Sequence, residues 1–476
     1  MKRLSSRIMQ SWLSLGPSYL PFADVATPDL PLSRLLRLSL FQVSVGMALV
    51  LLVGTLNRVM IVELNVPASI VGIMLALPLV IAPFRAFIGF QSDNHKCALG
   101  WRRVPFIWSG TLYQFGGFAF MPMALLVLAG KGESGNLPLW VGQCSAALSF
   151  LLVGAGIHIV QTTGLALATD LTPQESHPKV VGLMYVMLLF GMIVSSLAFG
   201  AALQDFSSGR LIQVIQSAAL LTMILNGLAM WKQETRNPAN SDLVPGPDPS
   251  FQESWQNFCA GEDAVRRLAI VGLGTMAFGM ADVLLEPFGG HVLGLTVSAT
   301  TRLTALVALG GLVGFAYAAR ACGKGGNPYS IARAGAFIGI PAFLFVMSAA
   351  PVGFPVLFLL GNLLIGLGGA LFAHGTLTAT MNRAPSDQIG LALGSWGAVQ
   401  ATAVGIGMAL SGIIRDVVNS LQTIDVSQGG TEGMVTGYLA VYSIEIGLLI
   451  ITIVVSLPLL QRRREQNQVK GTELYS

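Results

Sequence analysis

Asp282 and Glu286 stand four residues apart inside a long apolar run, a spacing that places both carboxylates on one face of a helix. Charge at bilayer depth costs about 2.5–3.5 kcal/mol per residue on insertion scales, so such groups face protein or water. Arg58, Glu63 and Arg302 are likewise set within or at the ends of apolar runs. Two chemistries suit this set. One is a polar site through which a proton and a small solute could move. The other is a structural ion-pair network in which Arg58 or Arg302 neutralises the carboxylates and fixes helix register. Pro287-Phe288-Gly289-Gly290 reads as a helix end, which would bring Glu286 near the outer interface. Among five histidines, His158 and His374 fall within apolar runs, in "GAGIHIV" and "LFAHGTL", whereas His95, His177 and His291 fall in connecting segments. A neutral imidazole on a helix face can supply one axial metal ligand, or can hydrogen-bond a neighbouring helix. The sequence has no phosphate-binding GxxxxGK[ST] loop, no HExxH and no convincing Ser/His/Asp set, so ATP-driven transport and enzymatic chemistry are not expected.

These residues must be held by membrane helices. Of 476 residues, 53% are hydrophobic and 11% charged, against roughly 25% charged in soluble domains, and mean hydropathy is +0.69. Apolar runs of about 20 residues, the length that crosses a bilayer, recur at 38–62, 69–91, 103–129, 139–169, 179–203, 210–231, 265–287, 294–320, 330–349, 353–381, 388–413 and 437–460. The first run starts only after a polar, proline-containing segment and lacks a cleavage-type end, so it is expected to be a retained span and not a signal peptide. An even number of spans puts both ends on one side. Under that assignment the even-numbered loops and the two ends hold 22 of the 27 Lys and Arg, which makes them cytoplasmic by the positive-inside rule. Cys97, Cys144, Cys259 and Cys322 show no CxxC pairing, so neither a disulfide framework nor a zinc site is expected.

The longest polar stretch separates spans six and seven. The organisation expected is therefore a cytoplasmic segment over 1–37, a six-helix bundle over 38–231, a cytoplasmic linker over 232–264, a second bundle over 265–460 and a basic tail over 461–476. "ALATDLTP" at 166–173 is echoed by "LTATMNRAP" at 377–385, and "ELNVPASIVGIMLAL" at 63–77 more weakly by "LGLTVSATTRLTAL" at 293–306. Both echoes support parallel repeats about an axis along the membrane normal. Glycine supplies 55 residues, many inside spans, where small side chains let helix backbones approach closely.

The segment joining spans two and three concentrates charge. It carries Arg85, Gly89, Ser92 and Asp93, then Gly100-Trp101-Arg102-Arg103, and resembles the loop motif of the major facilitator superfamily, with six extra residues between Asp93 and Gly100. The resemblance implies an all-α integral membrane fold of twelve transmembrane helices in two pseudo-symmetric six-helix bundles. It also implies a latch in which Asp93 accepts from basic side chains or helix-end amides, while Arg102 and Arg103 meet carboxylates or lipid phosphates.

The longer wording "PFRAFIGFQSDNHKCALGWRRVPFIWSGTLYQFGG", together with "NRVMIVELNVPASIVGIMLALPLVIAPFRA" at 57–86 and "ADVLLEPFGGHVLGLTVSATTRLTAL" at 281–306, resembles the PucC/LhaA family of bacteriochlorophyll delivery proteins. The likeness runs from about residue 35 to about 460, and its wording is nearer the core-complex type than the peripheral-antenna type. It implies a factor of the inner or intracytoplasmic photosynthetic membrane, both termini cytoplasmic, with bacteriochlorophyll as cargo. His158 and His374 would then be candidate magnesium ligands. Implied partners are antenna polypeptides or the reaction-centre core complex, the terminal pigment-synthesis enzyme and the bilayer, with no nucleic acid. The alternatives are proton-coupled transport of a small solute and a pigment-free scaffold for antenna polypeptides.

Overall fold

The computed structural model describes residues 31–80, 88, 91–92, 101–130, 137–173, 177–234, 264–383, 389–423 and 432–473. Among these residues twelve helices follow one another: α1 (Leu32–Glu63), α2 (Ala68–Val80), α3 (Val104–Leu128), α4 (Leu139–Asp170), α5 (His177–Ala202), α6 (Ser208–Met230), α7 (Ala264–His291), α8 (Val297–Gly323), α9 (Pro328–Ser348), α10 (Pro355–Arg383), α11 (Ile389–Thr423) and α12 (Glu432–Glu473). Among the described residues, eleven are long and apolar enough to cross a bilayer. The exception, α2, is a shorter apolar helix within the described residues.

The helix contacts fall into two matching sets. In the first half α1 packs on α5 and α6, α3 on α4 and α6, and α2 on α4. In the second half α7 packs on α11 and α12, α9 on α10 and α12, and α8 on α10. Adding six to each helix number converts one set into the other. The halves meet through α2 on α11 and α5 on α8, a pair that the same operation exchanges. Both sequence echoes obey it, since they lie on α4 and α10 and at the starts of α2 and α8.

Backbone proximity explains much of the glycine. A Cβ on Gly366 of α10 would stand 1.9 Å from the Val307 carbonyl oxygen of α8, and one on Gly310 of α8 only 2.0 Å from that of Leu363. Between halves, a Cβ on Gly412 of α11 would stand 2.2 Å from the Ala68 carbonyl oxygen of α2. Lipid gives helices no hydrophobic reason to associate, so close approach of this kind is how they gain packing energy.

Several expected boundaries move. α1 begins at Leu32, six residues before the expected start, because Pro31 in extended backbone sets up its first turn. It also winds as π-helix over Val50–Leu56 and Val59–Glu63. α7 does not stop at Pro287 but runs on to His291, because Phe288 is fully buried against Phe358, Tyr438 and Tyr442. α11 extends to Thr423 and takes in Arg415 and Asp416. The helical backbone of α12 continues to Glu473, through most of the stretch read as a tail.

Candidate functional site

A cavity of about 300 Å³ lies between the halves. α1 lines it with Leu49, Leu52, Val53 and Gly54, and α7 with Asp282, Leu285 and Glu286. Its other polar groups are His158 of α4, Thr304 of α8 and Asn362 of α10, and apolar side chains make up the rest. The α1 stretch that reaches the cavity includes the first π-helical turn, a deviation that recurs at functional positions in helices. A Cβ at Gly54 would stand 2.5 Å from a Glu286 carboxyl oxygen, so any larger residue there would push the Glu286 carboxyl aside.

Asp282 and Glu286 share the cavity wall, as their spacing requires. The expected cation partners do not reach them. The Arg58 guanidinium bonds to Glu63 and, at 3.0 Å, to the Leu295 carbonyl. It stays within electrostatic reach of Glu286 without a salt bridge. Arg302 packs its aliphatic stem where a Cβ on Gly200 would be, and among the described residues it forms no salt bridge to either carboxylate. The Thr304 hydroxyl donates to Glu286 Oε1, while Glu286 Oε2 is buried without a partner. Glu286 is 5% exposed, and α7 runs five residues past it, so it is packed within the helix bundle and not at a helix end.

The two histidines separate. His158 is buried and lines the cavity. His374 does not line it. Its ring stands edge-on to Phe315, with centroids 4.7 Å apart, and its Nδ1 is buried with no partner. The helices α4 and α10 are symmetry-related, but the histidines lie 216 residues apart whereas the echo on the same helices is offset by 211. They therefore occupy different levels of their half.

One end of the molecule is tied across the halves. Asn57 donates to the Val283 and Asp282 carbonyls at 2.8 and 3.3 Å. Asp416 of α11 accepts from the Ser69 amide of α2 at 2.7 Å. Ser298 donates to the Gly200 carbonyl at 2.6 Å, and Ser196 to that of Thr301.

The opposite end of the first half is the charged loop. Arg85, Gly89, Asp93 and Gly100 lie outside the described residues, whereas Ser92, Trp101, Arg102 and Arg103 lie within them. Arg103, 5% exposed, donates to Asp170 Oδ2 at 3.0 Å and to Ser92 Oγ at 2.6 Å. Arg102 reaches the same Asp170 oxygen at 3.5 Å. The Glu234 carboxylate accepts from the amides of Arg102, Arg103 and Val104 at 2.7, 3.1 and 3.0 Å. It thereby satisfies donors that a helix start leaves unpaired and places negative charge at the positive end of α3. Glu234→Ala should lower stability by about 0.5–2 kcal/mol, the range for losing an N-cap. Thermal unfolding in detergent would read this, with partial recovery in Glu234→Gln. An unchanged melting temperature in the alanine variant would show that the cap is idle.

Sequence reasoning missed a second polar cluster around α12. Tyr438 and Tyr442 are fully buried, as is Glu445. His291, the last residue of α7, sets Nδ1 2.8 Å from the Tyr438 hydroxyl. Arg415 lies over the Tyr438 ring, 5.0 Å from its centroid, and bonds Asp416 at 2.8 Å. Glu445 carried the same signal that found Asp282, a lone carboxylate inside an apolar run. Arg415 and Asp416 lay two and three residues beyond the expected end of span eleven.

Similarity to known proteins decides the family. The family model described as PUCC protein matches residues 55–464. The chain belongs to the PucC family. This PucC-family chain is 60% identical over 420 residues to Protein PucC of Rhodovulum sulfidophilum, covering 88% of this chain and 92% of that one. Protein PucC of Cereibacter sphaeroides is 54% identical over 456 residues, 96% of this chain and 98% of the other. The bacteriochlorophyll synthase 44.5 kDa chain of Rhodobacter capsulatus is 27% identical over 384 residues, 79% and 85% of the two chains. Among solved structures, the nucleoside transporter NupG superposes with TM-score 0.63 at 14% identity, over 89% of this chain and 98% of that one. The PucC-family fold is thus the twelve-helix, two-bundle fold of the major facilitator superfamily, and the chain is a multi-pass membrane protein.

Proposed function

We propose that this protein binds bacteriochlorophyll and hands it to antenna polypeptides while a light-harvesting complex, in the first instance the core complex, is assembled. The observation that carries the reading is a buried imidazole, His158, on the wall of a mostly apolar cavity in a PucC-family chain. The name of a 27% identical relative, a bacteriochlorophyll synthase chain, supports the choice of pigment. Bound magnesium tetrapyrrole needs one axial ligand, which a neutral imidazole supplies. The macrocycle itself is apolar, aggregating and photoreactive, so a carrier inside the membrane suits it. Gly154 lines the same wall one turn before His158 without adding bulk, and Asn362 and Thr304 could hydrogen-bond polar substituents. At about 300 Å³ the cavity is at the small end of ligand pockets, roughly 300–1,000 Å³, and suits part of such a molecule. His374, away from the cavity, serves this reading less well than His158.

The reading places the protein in the inner or intracytoplasmic photosynthetic membrane, with both ends and the 232–264 linker cytoplasmic. Its partners would be antenna polypeptides or the reaction-centre core complex, and the terminal pigment-synthesis enzyme upstream. A second reading, proton-coupled transport of a small solute, is favoured by the two carboxylates facing the cavity.

His158→Leu, purified in mild detergent from pigment-producing cells, should retain less than half of the far-red-absorbing pigment found with the wild type, at equal protein yield. Equal pigment in the variant would remove His158 from the site. A wild type that carries neither pigment nor antenna polypeptides would overturn delivery. Proton-coupled solute uptake by such a protein in vesicles would establish the second reading instead. Loss of peripheral antenna alone on deleting the protein would replace the core complex as the target.

A further inference from the structure

The charge on the wall of the central cavity is one-sided. Asp282 and Glu286 line it, with Thr304 and Asn362 as neutral polar neighbours, and among the described residues no Lys or Arg lines it. The two arginines closest along the chain to lining residues are both engaged elsewhere. The Arg58 guanidinium is held by Glu63 and, at 3.0 Å, by the Leu295 carbonyl. Arg302 lies against α5, where a Cβ on Gly200 would stand 2.5 Å from its Cγ and 3.0 Å from its Nε. His158 is the one basic side chain on the wall, and it serves as an axial ligand only as a neutral imidazole.

Glu286 sharpens the contrast. Its Oε1 accepts from Thr304, and its Oε2 is buried with no partner. A carboxyl in that setting is either uncharged, with an O–H to donate, or holds a charge that nothing on the wall answers. In both cases an incoming anion would exchange its hydration for a mostly apolar chamber without meeting a cation, and only a well-placed countercharge offsets that loss. A neutral ligand with carbonyl groups loses far less. It can accept from a protonated carboxyl, or from the second N–H of Asn362, whose first bonds the Phe358 carbonyl at 2.8 Å.

We infer that the cavity filters out anions, so that its occupant carries no negative charge. The inference rests on the pigment reading and extends it to a choice between two chemical forms. A magnesium tetrapyrrole of this class bears a propionate side chain, which is ionised at neutral pH as the free acid and uncharged as an ester. The cavity takes the ester and turns the acid away. Loading therefore follows esterification, and the protein stands after the class of reaction that removes this charge from the pigment.

Bacteriochlorophyllide and its methyl ester test the filter, because they share ring and magnesium, lack a long tail and differ in one charge. Each is titrated near neutral pH into pigment-free, full-length protein in phosphatidylcholine nanodiscs, at matched bilayer-bound concentrations and with empty nanodiscs as the blank. The shift of the far-red band reads binding. The methyl ester should bind at least tenfold more tightly than the acid. Asp282→Asn combined with Glu286→Gln puts amide N–H donors where the carboxyls stood, and should narrow the gap to threefold or less. Equal affinities in the wild type, or tighter binding of the acid, would overturn the filter while leaving pigment binding in place. An undiminished gap in the double variant would overturn its assignment to these two carboxyls. If that variant does not fold, the wild-type comparison decides alone. Binding of neither form would remove the pigment reading itself, and this inference with it.

Discussion

Gly366→Val is expected to leave almost no folded protein in the membrane. Even a methyl at Gly366 would stand 1.9 Å from the Val307 carbonyl oxygen, and the obstacle is backbone, which cannot rotate aside as a side chain can. Overpacking a tight core typically costs about 1–3 kcal/mol. Here α8 and α10 must separate along a seam that also contains Gly310, so the upper end of that range or beyond is expected. Valine adds two further methyls to the clash. Quantifying detergent-soluble, monodisperse protein against the wild type checks this. Gly116→Val makes the control, since a Cβ there meets nothing within 4 Å. Equal yields for the two variants would show that the α8 and α10 backbones do not approach so closely.

The second large effect is an asymmetry. Arg58 is buried, with 4% of its side chain exposed, while that of Glu63 is 37% exposed. Glu63→Gln leaves a buried guanidinium with its charge uncompensated, a change that costs about 3–5 kcal/mol for buried pairs. Arg58→Met leaves a carboxylate that water already reaches, together with one unpaired carbonyl at Leu295, at about 1–3 kcal/mol. Glu63→Gln should therefore melt at the lower temperature of the two, although it is the smaller chemical change. The double variant should recover toward Arg58→Met. A melting order with Arg58→Met lower would mean that the ion pair is not what holds this end of α1.

The membrane architecture was legible because the bilayer imposes one length on every span. Repeat symmetry was legible in two short echoes that fall on equivalent helices. The site was legible in part. Asp282 and Glu286 were found because carboxylates at bilayer depth demand a reason, and their common face follows from helical spacing alone. Their partners were not legible, since which cation a carboxylate meets depends on how helices distant in sequence are rotated. Arg58 was close enough in every sense but turned to Glu63. His158 and His374 looked equivalent because their helices are, and five residues of register separate them. Glu234 closes the start of α3 from more than 130 residues away, a contact that no local pattern announces. Helix ends were misjudged where proline or charge suggested a stop and buried aromatic packing, as at Phe288, carried the helix onward.

The wide winding of α1 over Val50–Leu56 and Val59–Glu63 gives that helix stored length. A π-turn holds more residues than an α-turn, so tightening one back to α-helix would turn everything beyond it by up to one residue's step, about 100° at 3.6 residues per turn. Asn57, Arg58 and Glu63 all sit on that portion, where Asn57 makes the ties to α7 and Arg58 the tie to Leu295 at the end where the halves are joined. Release of that end would then need neither a glycine hinge nor a broken helix. It would be a change of thread pitch, in which the helix screws its own fastenings free while every backbone amide keeps a carbonyl to bond.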